Sequence, residues 1–463
     1  MDKSILPFHR RDAARLPMRL HAMIVLMVFG FPVVGFAGGS SLRVLEGSRE
    51  SLQARVDLIQ QARQTIDLCY YAIDTDEVPV AILELLRQAT LRGVRVRILV
   101  DGLKSRLPSK CEQYLSTYGI EVRVYHPPQQ GNPSWLNRRL HSKLMVVDTC
   151  HAVVGSSNLE NGHFHFECPR EFVDCDAFVS GDIAQRSQTY FDWLWATPDV
   201  QPAPERDSLG LDILNYRPFG KSDWKNAWRD ADGPADYQQL LSDALRRVVC
   251  RCGVHLDWQR DWVAESMQGI EMELLFDRSS DKSERHVNRQ IVRMMDQAKR
   301  TLFIESPYPA FDRSIRSAIS RARERGVCVT ILTNSLDSTD QLNVYAAYQN
   351  HKRGLLREGV RLREYAGAET LHAKTMLVDD CCWMLGSYNF DARSNQLNLE
   401  LCIVSNDPAA AEQLRSNVRS RLAKSTSVPA GTLLLSVGQD AAAAKRARLM
   451  MKRTVIELYR GLL

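Results

Sequence analysis

The fold is decided by HSKLMVVD at residues 141–148 and HAKTMLVD at residues 372–379, two copies of one motif. Six residues separate each copy from a short polar loop, which is GSSN at residues 155–158 and GSYN at residues 386–389. The apolar run inside each copy predicts a buried strand, on which residues i and i+2 share a face. We therefore expect the histidine and the lysine of each copy to point the same way and the aspartate to face oppositely.

The duplication extends beyond the motif. Three further pairs of segments match in the same order: RQTIDLCYY at 63–71 with KRTLFIESPY at 299–308, RGVRVRILVDG at 92–102 with RGVCVTILTNS at 325–335, and GIEVRVY at 119–125 with GVRLREY at 359–365. Offsets of 231 to 240 residues are too long for a solenoid repeat and indicate two homologous domains. Strand-like and helical stretches alternate within each half. The sequence thus predicts an α/β fold in which each half is a mixed or parallel sheet flanked by helices, with one shared active site.

The composition is that of a globular protein. Of 463 residues, 44% are hydrophobic and 25% charged, which excludes a disordered chain and a polytopic membrane protein. A net charge of +5 is only mildly basic and fits a phosphate-bearing substrate or an anionic surface as well as nucleic acid. The 11 cysteines are an odd number, so at least one is unpaired in a monomer.

Residues 1–37 are predicted to be a targeting segment. Basic residues up to Arg19 precede an apolar run from Ala22 to Phe36, which is typical of a secretory signal peptide or an uncleaved inner-membrane anchor, with a buried helix as a third possibility. The first two both place the catalytic part outside the cytoplasm.

The rest of the chain divides into four predicted segments. These are a domain at 40–205, a polar connecting region with tryptophans at 206–285, a second domain at 286–425, and a tail at 426–463 with a basic amphipathic helix. The connecting region reads as a linker with packed helices or as a membrane-facing element. The amphipathic helix either docks on a membrane or packs on the domain.

The two motifs carry the residue types that phosphodiester chemistry needs. An imidazole can attack phosphorus and form a covalent intermediate, and a second can protonate the leaving alcohol and deprotonate the incoming one. Lysines with amide and hydroxyl donors can hold the non-bridging oxygens. One motif supplies one histidine, so the duplication completes the site. The candidate catalytic residues are His141, Lys143, Asp148, His372, Lys374 and Asp379, and the candidate phosphate-binding residues are Ser156, Asn158, Ser387 and Asn389.

Both copies resemble the HKD motif of the phospholipase D superfamily, over about residues 40–425. The strings LNRRLHSK at 136–143, FVDCDAFVSG at 172–181 and ILTNSLDSTD at 331–340 are most similar to the C-type branch of bacterial cardiolipin synthases. The resemblance implies two halves around one site, with no metal or other cofactor. It also implies phospholipid substrates at a membrane surface, namely phosphatidylglycerol with phosphatidylethanolamine as a second candidate. No nucleic acid is expected, and the resemblance names no partner protein.

The resemblance also assigns roles within the site. It implies an acidic residue that orients each motif histidine, and these are Asp174 in the first half, with Asp176 as the alternative, and Glu400 in the second. We expect Asp174 to hold His141 and Glu400 to hold His372. The resemblance further implies that His141 is the nucleophile and His372 the general acid and base.

Three functions are compatible with these features. The first is phosphatidyl transfer of the cardiolipin synthase type, the second is hydrolysis by a phospholipase D or a nuclease, and the third is a non-catalytic membrane protein. The mild charge and the lack of an aromatic-basic pattern disfavour a nuclease, and two complete motifs disfavour a non-catalytic protein. The first loop and NGHFHFECPR at 161–170 depart from the branch, which leaves the lipid acceptor open.

Four other features have two interpretations each. Cys250, Cys252 and His255 could bind a metal or lie in a helix, and Cys168 and Cys175 could form a disulfide or remain thiols. His163 and His165 could tune substrate binding or be solvated loop residues. The basic run at 321–325 could bind lipid headgroups or form a solvated helix face.

Overall fold

The computed structural model describes residues 39–105, 107–127, 137–203, 227–228, 230–257, 260–278 and 285–429. These residues belong to one compact unit, which begins at Gly38. The predicted targeting segment at 1–37 and the predicted amphipathic helix of the tail lie outside the described residues. Among the helices that are described, none has the length and apolar character needed to cross a membrane.

The first half of the chain alternates strands and helices as predicted. Its elements are β1 (Ser40–Val44), α1 (Gly47–Gln61), β2 (Thr65–Tyr70), α2 (Glu77–Leu91), β3 (Arg95–Asp101), α3 (Ser109–Ser116), β4 (Glu121–Tyr125), β5 (Arg139–Leu140), β6 (Lys143–Val147), β7 (His151–Gly155), a 3-10 turn (Asn161–Phe164), β8 (Phe172–Val173), β9 (Asp176–Ser180), α4 (Asp182–Trp195) and β10 (Val200–Pro202).

The connecting region and the second half continue the pattern. Their elements are α5 (Pro234–Cys252), β11 (Met267–Ile270), β12 (Glu273–Phe276), α6 (His286–Gln297), β13 (Thr301–Glu305), α7 (Arg313–Glu324), β14 (Cys328–Asn334), α8 (Leu342–Arg357), β15 (Arg361–Tyr365), β16 (Thr370–Leu371), β17 (Thr375–Val378), β18 (Cys382–Gly386), α9 (Ala392–Gln396), β19 (Asn398–Leu399), β20 (Leu401–Ser405), α10 (Pro408–Ala423) and β21 (Ser425–Ser427).

The two large sheets have the same order over eight strands, and the first sheet has one further edge strand, β11. The first runs β10-β4-β3-β2-β6-β7-β9-β1-β11, and the second runs β21-β15-β14-β13-β17-β18-β20-β12. In each sheet three parallel strands, β2-β3-β4 or β13-β14-β15, lie beside an antiparallel hairpin that carries the motif, β6-β7 or β17-β18. The predicted α/β class with mixed sheets is therefore confirmed, and the strand pairing repeats the duplication seen in the sequence.

Apolar residues hold the layers together in three clusters. One cluster lies between the first sheet and helices α1, α2 and α5, and a second lies between the other sheet and α6, α7 and α8. The third is shared by the two halves and contains residues of both sheets together with α4 and α10. Burial of apolar surface on this scale is the main stabilising contribution to such a unit. The shared cluster makes the halves parts of one packed body.

Two short parallel ladders also join the halves. Strand β5 pairs with β19 of the other half, with Leu140 opposite Leu399. Strand β8 pairs with β16 in the same way, with Val173 opposite Leu371. Each ladder ends immediately before a motif histidine on one strand and before a predicted orienting acid on the other. The backbone pairing therefore fixes which side chains meet at the centre.

The connecting region packs on the first half and then enters both sheets. Helix α5 lies against α2, β11 extends the edge of the first sheet, and β12 begins the second. Trp228 and Trp262 are buried, and the Trp262 indole N–H donates to Asp57 at 2.9 Å. Trp224 and Trp258 lie outside the described residues. For the described part, packed helices and strands are the correct interpretation rather than a membrane-facing element.

The motif aspartates lie at the opposite end of their strands from the histidines. The Asp148 carboxylate accepts the backbone N–H groups of residues 63, 64 and 65, at 2.7 to 2.8 Å. Asp379 accepts those of residues 299, 300 and 301 at 2.6 to 2.8 Å. Each aspartate is five residues from its motif lysine along the chain, a separation of about 16 Å on an extended strand. Their place in the predicted catalytic set is thus corrected: both close the turn that precedes the central strand.

This position makes the aspartates important for stability rather than for chemistry. Replacing Asp379→Ala leaves three backbone N–H groups without their acceptor and should lower the free energy of unfolding by about 1–3 kcal/mol. Burial tends to raise the pKa of Asp379, but the three N–H donors keep it below the ordinary value. The stabilisation is therefore present at neutral pH and lost as the pH falls through that lowered pKa. Denaturant unfolding at pH 7 and pH 3 measures both effects.

The kinetic control for this variant is the rate per folded molecule. We expect kcat/KM of Asp379→Ala within about threefold of the parent value, because a lost factor of ten would require about 1.4 kcal/mol in the transition state. A loss of a thousandfold in the folded variant would return Asp379 to the catalytic set.

Candidate active site

Each motif histidine hydrogen-bonds to the acid of the other half. His141 Nδ1 lies 2.9 Å from Glu400 Oε2, and His372 Nδ1 lies 2.7 Å from Asp174 Oδ1. The expected pairing within each half is therefore wrong. The two interhalf ladders are the reason: the His141 N–H donates to the Leu399 carbonyl at 2.9 Å, and the His372 N–H donates to the Val173 carbonyl at 2.8 Å.

Polar side chains at the ends of β3 and β14 anchor the strands that lead into the histidines. The Asp101 carboxylate accepts the Leu140 N–H at 2.9 Å and the Arg139 guanidinium at 2.9 Å. At the matching position, the Asn334 amide makes two hydrogen bonds to the backbone of Leu371, at 2.8 and 2.9 Å. Sequence reasoning missed both residues, although LVDG and LTNS align them in the duplicated segments.

The two motif lysines are buried beside the histidines. The Lys143 ammonium donates to the carbonyl of His141 at 2.6 Å, and Lys374 donates to the carbonyl of His372. Burial lowers the pKa of Lys143 to about 8 and that of Lys374 to about 7. Two desolvated ammonium groups stabilise an anion placed between them, and a phosphodiester is such an anion.

Charged groups from both halves change the pKa values of the two histidines. Burial together with Lys143 and Lys374 holds the pKa of His141 well below its ordinary value. Burial and Lys374 also lower the pKa of His372, while Asp174 acts in the opposite direction. Because the lysine of the second half acts on the histidine of the first, the predicted single site is consistent with these interactions. A neutral imidazole at His141 is the form that can attack phosphorus.

The two orienting carboxylates differ in their hydrogen-bond partners. Burial tends to raise the pKa of Asp174, but the imidazoles of His163 and His372 hold it well below the ordinary value. Burial raises the pKa of Glu400 to about 7 in spite of Lys143. Asp174 is thus an ionised partner for its histidine at neutral pH, whereas the raised pKa of Glu400 makes that carboxylate easier to protonate.

The loop serines act as supports. Ser156 Oγ donates to Asp174 Oδ1 at 2.6 Å and accepts the Cys175 N–H at 3.0 Å. Ser387 Oγ donates to Glu400 and accepts the Leu401 N–H at 3.0 Å. Both hydroxyls are used within the protein, so their predicted contact with phosphate is corrected to a role in holding the orienting acids.

The loop asparagines remain available for a substrate. Asn158 and Asn389 are buried, and within the described residues neither amide oxygen has a hydrogen-bond partner. Buried amides without a partner are uncommon, and a bound phosphodiester can satisfy them once the interchangeable amide nitrogen and oxygen are oriented. These two residues stay in the proposed phosphate-binding set.

Asp176, the alternative orienting acid, supports the first loop instead. Its Oδ1 accepts the backbone N–H groups of Ser156 and Ser157 at 2.8 and 3.1 Å, and its Oδ2 pairs with Arg55 at 3.1 Å. A Cβ at Gly155 would collide with the Asp176 carboxylate, so only glycine fits there.

Two of the remaining alternatives concern metals and disulfides. Among the described residues the one cluster with metal-site spacing is His163, Asp174 and His372, and Cys250, Cys252 and His255 form no such cluster. In that cluster both Nδ1 atoms already hydrogen-bond to the carboxylate. Cys168 and Cys175 are free thiols, so the disulfide alternative is wrong.

The other two concern loop histidines and the basic run. His163 is buried in the site, so it is not a solvated loop residue. His165 is partly exposed, which fits the loop interpretation better. In the basic run, Arg321 pairs with Asp296, and Arg323 and Arg325 donate to backbone carbonyls. Their use within the protein favours the helix-face interpretation over a headgroup site.

Comparison with known proteins shows which family and fold the chain resembles. The family profile described as "Cardiolipin synthase, PLD-like domain" matches residues 56–195 and 291–422. Cardiolipin synthase C of Escherichia coli K12 is 27% identical over 406 residues, covering 81% of this chain and 83% of that protein. Cardiolipin synthase A of Pseudomonas syringae is 26% identical over 386 residues, covering 81% and 67%. The crystal structure of phosphatidylserine synthase from Haemophilus influenzae has the same fold, with a TM-score of 0.63, 17% identity, and 90% and 93% of the two chains covered.

The lowered pKa of Lys374 predicts how anion binding depends on pH. An anion between the lysines favours the charged ammonium, so binding takes up a proton once the pH exceeds the free-state pKa of about 7. The affinity for a soluble short-chain phosphatidylglycerol should therefore fall about tenfold between pH 6 and pH 8. Calorimetry with the His141→Ala variant, which leaves the ligand intact, measures it.

The control for this titration is Lys374→Met, whose binding should be weaker and should depend less on pH over the same interval. An affinity that rises with pH in the parent chain would contradict the assignment of Lys374 to the phosphate.

Proposed function

Because the chain belongs to the family of cardiolipin synthase PLD-like domains, we propose that it is a phosphatidyltransferase of the cardiolipin synthase type. The observation that carries the proposal is the crossed pair of histidine–carboxylate contacts beside two buried lysines. A site with two imidazoles, two ammonium groups and two buried amides has every group that a two-step phosphodiester exchange requires.

The first step forms a covalent phosphatidyl-enzyme. The neutral His141 Nε2 attacks phosphorus, the N–P bond forms, and the P–O bond to the leaving alcohol breaks. His372 supplies the proton that the leaving alkoxide takes. Lys143 and Lys374 stabilise the charge on the non-bridging oxygens, and the amides of Asn158 and Asn389 can donate to the same oxygens once their N–H groups are turned toward the substrate.

The second step transfers the phosphatidyl group to an acceptor. His372, now neutral, removes the proton from the incoming hydroxyl as its oxygen attacks phosphorus, and the N–P bond breaks to restore His141. With the hydroxyl of phosphatidylglycerol as acceptor the product is cardiolipin. With water the same steps give phosphatidic acid, so the experiment below separates transfer from hydrolysis.

The proposed setting is the surface of a membrane outside the cytoplasm. It rests on the basic and apolar pattern of residues 1–37 and on the lipid substrates of the relatives named above. The catalytic half-domains then meet phospholipids from the exported side, either tethered by residues 1–37 or released by cleavage.

Product analysis tests the reaction. Purified protein with vesicles of phosphatidylglycerol and phosphatidylethanolamine, in EDTA, should form cardiolipin, because the lysines provide the charge that a cation would otherwise supply. His141→Ala should reduce the rate by about a thousandfold or more, since it removes the nucleophile. Lipid mass spectrometry identifies the products.

His165→Asn, a substitution of a partly exposed histidine, is the control and should keep the parent rate. Phosphatidic acid as the single product would identify a hydrolase. Activity lost in EDTA and restored by one divalent ion would contradict the metal-independent mechanism.

An activated substrate separates the two histidines. With the 4-nitrophenyl ester of phosphatidic acid, the leaving nitrophenolate needs no proton. His372→Ala should therefore release a burst of nitrophenolate equal to the enzyme concentration and then stop, while His141→Ala should give no burst. Rapid-mixing absorbance measures the burst, and peptide mass spectrometry locates the phosphorus. Phosphorus on His372 would reverse the two roles.

The location is tested with a topology reporter. Alkaline phosphatase fused after residue 60 should be active, because that enzyme folds only outside the reducing cytoplasm. A fusion from which residues 1–37 are deleted is the control and should be inactive. Equal activity of the two fusions would contradict export by this segment.

A further inference from the structure

The two halves differ at one position beside the orienting acids. The loops GSSNLENGH at 155–163 and GSYNFDARS at 386–394 align residue by residue and end in His163 and Ser394. Both side chains are buried, and each reaches the acid of its own half. His163 Nδ1 lies 2.6 Å from Asp174 Oδ2, and the Ser394 hydroxyl is near enough to Glu400 to act against the rise in its pKa.

The difference between histidine and serine at this position compensates for the difference in length between the two orienting acids. Glutamate is one methylene longer than aspartate, and serine is shorter than histidine. The second half joins a long acid to a short donor, and the first half joins a short acid to a long donor. The contact is thus preserved at both places, although its chemistry differs, because His163 brings a titratable imidazole.

Asp174 is consequently held between two imidazoles. His372 donates to its Oδ1 and His163 to its Oδ2, so each carboxylate oxygen has an N–H donor. The ring of Phe172 stacks on His163 with centroids 4.5 Å apart and the planes at 13°, and its edge meets His372 at 5.4 Å. This packing leaves Asp174 a single orientation behind His372.

The second nitrogen of His163 faces the phosphate loop. With Nδ1–H donating to Asp174, Nε2 lies 3.4 Å from the Asn158 amide nitrogen, which can donate to it. His163 therefore contacts both the acid behind one histidine and an asparagine proposed to bind phosphate. The matching serine of the second half hydrogen-bonds to the Asn389 backbone N–H at 3.1 Å instead.

We propose that His163 is a positioning residue for proton transfer: through Asp174 it keeps His372 oriented as the general acid and base. The inference rests on the proposed function, because it needs a step in which His372 moves a proton. His163 itself touches neither the phosphorus nor the reacting oxygens. Its effect should therefore fall on the step that requires His372 and spare the attack by His141, which Glu400 holds on the other ladder.

The test uses the 4-nitrophenyl ester of phosphatidic acid with a series at position 163. His163→Leu removes the donor and leaves Asp174 Oδ2 buried without a partner, so turnover should slow about tenfold to a hundredfold. The nitrophenolate burst should keep its amplitude, since that step needs no proton. His163→Asn places an amide N–H near the position of Nδ1 and should recover turnover to within about threefold of the parent.

The pH profile distinguishes positioning from a general loss of structure. Without the His163 donor, Asp174 protonates at higher pH, so the acidic limb of the turnover rate should move to higher pH in His163→Leu and return in His163→Asn. His165→Asn, two residues away and outside the site, should change neither the rate nor the limb. Turnover and burst that fall together, or a limb that does not move, would overturn the proposal.

A second variant pair covers the case in which His163→Leu fails to fold. His163→Ser alone leaves a short donor opposite a short acid and should be slow, whereas His163→Ser combined with Asp174→Glu copies the arrangement of the second half and should be faster. A double variant no faster than His163→Ser contradicts the proposal.

The lipid assay run in parallel separates this inference from the proposed function. Cardiolipin formed at equal rates by every variant at position 163 would overturn the positioning role alone. Turnover of the nitrophenyl ester with no cardiolipin formed would overturn the lipid reaction, while the same series would still decide the role of His163.

Discussion

The two parallel ladders between the halves are the constraint on which the active site depends. They are only two residues long on each strand, yet each one sets a histidine against a carboxylate from the other half. A buried carboxylate or ammonium is costly unless a partner compensates it. Neither half supplies the carboxylate that holds its own motif histidine, because that carboxylate lies on the other half. Packing of the halves and assembly of the catalytic groups are therefore the same event.

The buried ammonium groups at the centre of the site are more stable with an anionic substrate bound between them than in the empty site. Lys143 and Lys374 are desolvated, and the lowered pKa of each shows that burial outweighs the nearby carboxylates. A phosphodiester placed between them removes this penalty, so part of the binding energy comes from relief of a cost already present in the folded protein. The same low-dielectric surroundings strengthen the stabilisation of charge in the transition state.

The fold and most of the site residues could be predicted because the duplication shows both the repeated domain and the repeated motif. The matched segments at 92–102 and 325–335, for example, each contain a strand of their sheet, Arg95–Asp101 and Cys328–Asn334. The crossed pairing could not be predicted, because the order of residues along one half does not show which side chains of the other half meet them. Asp148 was assigned to catalysis for a similar reason: its acceptor role depends on three N–H groups more than eighty residues away in sequence.

Departures from the duplication are what make two equivalent histidines unequal. The proposed reaction needs one imidazole neutral and the other able to carry a proton, and identical surroundings would give both the same charge state. Asp174 is held ionised between two imidazoles, whereas Glu400 is surrounded by serine and asparagine donors and has a raised pKa of about 7. An ionised carboxylate favours an imidazolium, and a carboxyl with a raised pKa favours it less. Burial lowers the pKa of both histidines, but Asp174 opposes this at His372, so the difference favours His372 over His141 as the proton carrier. It originates in the loop at 161–170, where His163 stands at the position that Ser394 has in the second half.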